Sequence, residues 1–182
     1  MFFLTLFVWH YLGLSHPYHS IVAGVLNIIY PMIESTNLIG GIHSEGSSFV
    51  IDLIYKGKSV GSLNIVGEDI TSNTAMLLAL YAASPIRIHL RKFVAFFIAS
   101  LLILFFVHCL TLATMIQYSL IINPEIMRRY SFKVFTIKAV DAYIYFYEII
   151  GMYLIILAIW FPYIIICAAE AKRRRKAHGE PQ

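Results

Sequence analysis

Arg87-Ile88-His89-Leu90-Arg91-Lys92 runs directly into the apolar stretch Phe93 to Ile116, and a second apolar stretch, Tyr143 to Cys167, runs out toward Lys172-Arg173-Arg174-Arg175-Lys176. The reading of these two stretches decides the fold. Each reaches the roughly 20 apolar residues that a helix needs to cross a bilayer. Basic clusters favour the cytoplasmic side of a membrane. The two clusters therefore mark chain ends that share one side, with a single excursion across the bilayer and back between them. Composition agrees: 59% of the 182 residues are hydrophobic and 13% are charged, against about 25% charged in an ordinary soluble domain. The net charge of +4 comes largely from the two clusters, so it reads as a topological signal, with no nucleic-acid partner expected.

Working outward, the chain reads as one membrane domain over residues 1–171 and a cytoplasmic basic tail over 172–182. The fold class expected is mainly α: a polytopic helical membrane protein with three to four spans, an interfacial helix and a small external β-hairpin. Met1 to about Leu14 is short for a span. Its Met1-Phe2-Phe3-Leu4 start lacks the basic residues and small-residue cleavage site of a signal peptide. Ser15-His16-Pro17 then opens a second helix, because proline is tolerated in a first turn. This helix runs over Tyr18 to Ile33 with Ile21, Val25, Ile28 and Ile29 on one face, and its mixed polarity suits an interfacial position.

The polar stretch that follows carries the hairpin region, about residues 40–68. Phe49 to Tyr55 and Ser59 to Val66 flank Lys56-Gly57-Lys58, β-branched runs around a glycine connection. Glu68 to Asn73 supplies acidic and hydroxyl residues that suit a helix N-terminus before Thr74 to Ala83. That helix spans only about 20 Å before Pro85, so it enters from outside and ends at the basic turn. Residues 118–142 read as an outer loop, with Phe132, Phe135 and Ile137 set among Arg128, Arg129, Lys133 and Lys138 along the headgroups.

Few residues carry candidate chemistry. Cys109 and Cys167 sit inside apolar runs, where thiols behave as small hydrophobes. His108, in the middle of the first long run, is a candidate because an ionisable residue at that depth is functional by default, although a neutral histidine bonded to a neighbouring helix costs little and is the favoured reading. Glu148 is the carboxylate of the last run, set among Tyr143, Tyr145, Phe146 and Tyr147. It reads as a snorkelling or tyrosine-bonded group, with a pairing to His108 as the sharper alternative. His108 and Cys109 diverge by about 100° around a helix and form no nucleophile–base pair. His10, His16 and His19 cluster near the N-terminus, and the three-residue step from His16 to His19 suits a metal. Pro17 interrupts that step and no acidic residue precedes Glu34, so ordinary hydrogen bonding is the favoured reading. No metal or cofactor is expected, and no phosphate loop, dinucleotide fingerprint or hydrolase elbow occurs.

The order of elements resembles that of the exosortase/archaeosortase family of membrane cysteine transpeptidases. The run Glu68 to Lys92 carries the resemblance, with Met76-Leu77-Leu78-Ala79-Leu80-Tyr81-Ala82-Ala83-Ser84-Pro85 and Arg91-Lys92 as its best-matching parts. The resemblance implies a catalytic cysteine at the start of the entering helix, an arginine near the outer end of the next span and a histidine opening the last. This chain has Thr71-Ser72-Asn73 at the first place, no arginine around Cys109 to Ala113, and no histidine near Tyr145 to Glu148. A thiol transpeptidase without its thiolate has no nucleophile.

The functional expectation is thus a degenerate, non-catalytic relative: an integral membrane accessory subunit in a larger complex, with no catalytic residues. Its partners would be membrane lipids and other integral membrane subunits, met through the spans and the hairpin. The location expected is a prokaryotic inner or plasma membrane. The alternatives are an exosortase-like transpeptidase with displaced residues, resting on Cys109 or Cys167, and a small transport or ion-conducting subunit around His108 and Glu148.

Overall fold

A computed structural model of the chain describes residues 2–33, 37–84, 89–129 and 132–177. The basic turn is described only from His89 onward, and the tail's last five residues lie outside the described residues. So do the side chains of His10, Arg128 and Arg129.

Helix α1 (Phe2–Tyr11) and helix α2 (Ser15–Ile33) meet at Gly13, whose φ of +70° turns the chain. Such a positive φ suits glycine, which has no Cβ to clash. Trp9 then packs edge-on against Tyr18, with ring centroids 5.5 Å apart. The buried face of α2 is Val22, Ala23, Leu26 and Tyr30. Of Ile21, Val25, Ile28 and Ile29, which the sequence sets on one face, Val25 packs partly against the core and the three isoleucines are exposed. The helix is apolar nearly all round, so hydrophobicity alone could not choose the face. Asn27 decides it: its Oδ1 accepts the Ile42 N–H at 3.0 Å and ties α2 to the sheet.

The hairpin expected from sequence is two-thirds of a sheet. Strands β1 (Ile39–Glu45), β2 (Ser48–Tyr55) and β3 (Lys58–Val66) form an antiparallel meander in that order. Strand β1 escapes a sequence reading because Gly40 and Gly41 depress strand propensity. At Gly40 the packing is close, since a Cβ there would run into the Ile54 side chain. The β2–β3 turn is Lys56-Gly57, at φ +50° and +76°, the two positive values of a type I′ hairpin turn. Along β2, Phe49, Ile51 and Leu53 alternate inward, as a half-buried strand requires.

After the short helix α3 (Gly67–Thr71), helix α4 (Asn73–Ala83) descends, and helix α5 (Leu90–Ile122) returns over 33 residues. Ser72, which joins α3 to α4, is itself helical and makes no side-chain cap. The capping role expected of Glu68 to Asn73 is therefore absent at that junction, and the Asn73 side chain is committed elsewhere.

Most of the described residues of 118–142 are helical, where the sequence suggests a loop. Helix α5 continues to Ile122, helix α6 (Pro124–Arg129) follows, and helix α7 (Val134–Phe146) passes through a π turn (Tyr147–Gly151) into helix α8 (Met152–Ala177). The charges interspersed there disguised a helix that projects past the apolar run. Helix α8 also extends through the basic cluster to Ala177, so residues 172–177 are helical rather than a free tail.

Two helices are long and apolar enough to cross a membrane: residues 90–122 and 134–173. The expected three to four spans are thus represented by two of this length among the described residues. Only 22% and 17% of their most apolar stretches are buried within the chain. A core helix of a soluble domain would be mostly covered; these present apolar faces outward.

Two larger apolar cores stack along α5, and a small third one joins Ile121 to Val140 and Ile144 of α7. One joins α2 and the sheet to Leu112, Ile116 and Leu120. The other joins Leu77 and Tyr81 of α4 and Ile156, Tyr163 and Cys167 of α8 to Leu104. His108 lies on α5 between them.

Candidate functional site

Between the two cores runs a chain of buried polar side chains. The Tyr18 hydroxyl lies 2.6 Å from His108 Nδ1, and His108 Nε2 lies 2.6 Å from Asn73 Oδ1. Asn73 Nδ2 donates to the Tyr147 hydroxyl at 3.4 Å, and that hydroxyl donates to the Ile70 carbonyl at 3.1 Å. The chemistry of each group fixes every proton. Asn73 Oδ1 only accepts, so His108 carries its proton on Nε2. A neutral imidazole then accepts at Nδ1, and Tyr18 is the donor. Burial pushes the Tyr18 phenol well above its ordinary range, which keeps that donor in place. The relay runs in one direction from Tyr18 to a backbone carbonyl, with His108 fully buried at its centre. No member needs to be charged.

Two shorter pairs flank it. Thr71 donates its hydroxyl to the Gly67 carbonyl at 3.0 Å and therefore accepts from His19 Nε2 at 2.7 Å. Thr111 and Tyr143 hydroxyls meet at 2.8 Å. Buried polar groups bonded to one another favour one packing arrangement, because a shift leaves costly unpaired groups. The layer thus locks α2, α4, α5 and the π turn in register.

The π turn explains how Tyr147 reaches inward. Buried positions on this last long helix step through Val140, Ile144, Tyr147, Gly151 and Ile156. The final interval is five residues, the signature of an inserted residue. At Gly151 a Cβ would stand 2.8 Å from the Phe146 ring and 3.1 Å from its carbonyl oxygen, so the widened turn closes only over glycine.

On the solvent-facing side of Tyr147 opens a cleft of about 290 Å³, lined by Asp69, Ser72, Met115, Tyr147, Glu148 and Met152. Glu148 is exposed there and also borders a second, broader hollow with Tyr118, Asp141 and Tyr145.

Of the residues singled out from sequence, His108 is the one at the centre of this layer. It bonds Tyr18 and Asn73, while Glu148 faces the cleft, so His108 and Glu148 do not pair within one chain. Cys109 packs into the upper core and Cys167 into the lower, both as buried free thiols, and neither lines the cleft. His19 uses Nε2 on Thr71, and His16 is exposed. Among the described residues no group of three metal-ligating side chains forms.

Sequence reading missed Asn73, Tyr147 and Tyr18. Asn73 resembled part of a cap, and Tyr143 and Tyr147 resembled an interfacial belt, whereas both bond inward. The available signal was that three uncharged polar stretches (Thr71 to Thr74, His108 to Thr111, Tyr143 to Tyr147) interrupt otherwise apolar helices at matching heights. No protein-family model, curated protein or solved structure matches the chain.

Proposed function

We propose that this chain is a non-catalytic integral membrane subunit whose two long helices pack in lipid and against other membrane proteins. The observation that carries the reading is the closed, neutral relay Tyr18–His108–Asn73–Tyr147, set between helices whose outer faces stay apolar and uncovered. Groups bonded to one another in this way position helices; none is left poised to attack a substrate.

The relay lies where the exosortase-like order of elements implies chemistry. The stretches carrying Asn73, His108 and Tyr147 converge, and an amide, a neutral imidazole and a phenol occupy the convergence. An amide has no nucleophilic lone pair comparable to a thiolate. These features support a degenerate relative of that family over an active transpeptidase.

The depth of each element supports the membrane placement. Lys92 Nζ and Glu170 Oε1 lie 3.2 Å apart and set α5 and α8 in register at one end. Met115 and Glu148, which share the cleft, lie 23 and 22 residues away along their helices, about 33–35 Å at 1.5 Å per residue. That is slightly more than a hydrocarbon core of about 30 Å. The cleft and sheet then lie at and beyond the far boundary. The basic ends occupy the cytoplasmic side of a prokaryotic inner or plasma membrane.

Purification in mild detergent tests the subunit reading. Other membrane proteins should co-elute in fixed ratio with the chain. A stable monomer that retains none of them contradicts it.

A further inference from the structure

We propose that the juxtaposed basic ends of α5 and α8 form a docking surface for anionic phospholipid headgroups, an inference that rests on the membrane placement above. The Lys92–Glu170 ion pair at 3.2 Å holds the first turn of α5 beside the last turns of α8. It thereby joins two basic segments that are about 80 residues apart in sequence into one patch. Glu170 is the one carboxylate among the described residues at this end, and Lys92 already occupies it. Arg91, Lys172 and Arg173 are exposed and make no ion pair among the described residues. Among the described residues no carboxylate compensates their positive charge. The dipole of the 33-residue helix α5, whose N-terminus lies at this end, adds partial positive charge on the same side.

The residues bordering the patch identify its partner. Leu90, Val94 and Ile98 on α5 and Phe161 and Ile165 on α8 are exposed apolar side chains on the stretches that lead away from the cations. Cations that cap an outward-facing apolar surface sit at the boundary between hydrocarbon and water. Lipid phosphates are the anions concentrated at that boundary, and basic side chains there gain from an anionic leaflet. A nucleic acid would have to approach past the headgroups, and the apolar flank offers it nothing.

The test reconstitutes the full chain into phosphatidylcholine vesicles doped with phosphatidylglycerol. The lipid retained after mild-detergent extraction is then quantified by mass spectrometry. Phosphatidylglycerol should be enriched over its bulk fraction. The triple variant Arg91→Gln, Lys172→Gln, Arg173→Gln should reduce that enrichment by at least about threefold, as should high salt. This variant leaves Lys92 and its partner intact, so the helix register is preserved. A protein that inserts yet shows no enrichment, or whose enrichment the variant leaves unchanged, overturns the docking surface alone. A protein that alkaline washing strips from the vesicles overturns the membrane placement and, with it, this proposal.

Discussion

His108→Ala should destabilise the protein by about 3–5 kcal/mol, measured by unfolding in mild detergent. The substitution removes an acceptor for Tyr18 and a donor to Asn73 at once. Each buried polar group left unpaired costs about 1–3 kcal/mol, and the vacated ring volume adds a cavity term. Asn73→Ala should be severe for the same reason, since it unpairs His108 Nε2 and deprives Tyr147 of its donor. The two changes act on one relay, so together they should cost less than their sum by about 0.5–3 kcal/mol. Thr114→Ala gives the comparison: its hydroxyl only bonds the Leu110 carbonyl of its own helix, and the change should stay within about 0.5 kcal/mol. Additive effects at Asn73 and His108 would mean that the side chains do not act as one layer.

Gly67→Ala should cost about 1–3 kcal/mol and loosen the sheet from the helices, read as faster proteolysis within residues 39–66. An added Cβ would stand 2.8 Å from the Ser47 carbonyl oxygen, 2.9 Å from the Phe49 ring and 3.0 Å from the His19 ring. None of these can retreat cheaply. Ser47 O accepts the Gly67 N–H at 2.8 Å, Phe49 is fully buried, and His19 is held by Thr71. Overpacking of this kind displaces rigid neighbours rather than a flexible side-chain end. Gly24→Ala meets nothing within 4 Å. In the middle of α2 it should be neutral or stabilising by up to about 1 kcal/mol.

The long apolar runs and their basic flanks were plain in the sequence, because about twenty apolar residues with so few interruptions have few alternative readings. The Lys56-Gly57 hairpin was plain for a similar local reason. His108 stood out as a polar residue in an apolar run. The rest of the relay did not, because its direct partners Tyr18 and Asn73 lie 90 and 35 residues from it, and Tyr147, bonded to Asn73, lies 39 residues away; a hydrogen bond leaves no local periodicity. Strand β1 was hidden by glycines that serve close packing rather than a turn. The inward face of α2 was hidden because both its faces are apolar. The start of the last helix was hidden by charges that mark its projection beyond the apolar run. Glu148 drew attention as a lone carboxylate, yet its position in the cleft depends on a π turn that the sequence signals only through Gly151.

Side-specific labelling tests the central claim, that α5 and the α7–α8 helix cross a bilayer between the sheet and the basic ends. Ser59→Cys, in exposed strand β3, and Lys172→Cys, near the end of α8, are made separately in a Cys109→Ser, Cys167→Ser background. Intact cells or sealed vesicles are then treated with a membrane-impermeant maleimide. The account predicts that one position reacts without permeabilisation and the other only after it. Equal reaction at both positions in the sealed preparation would contradict it.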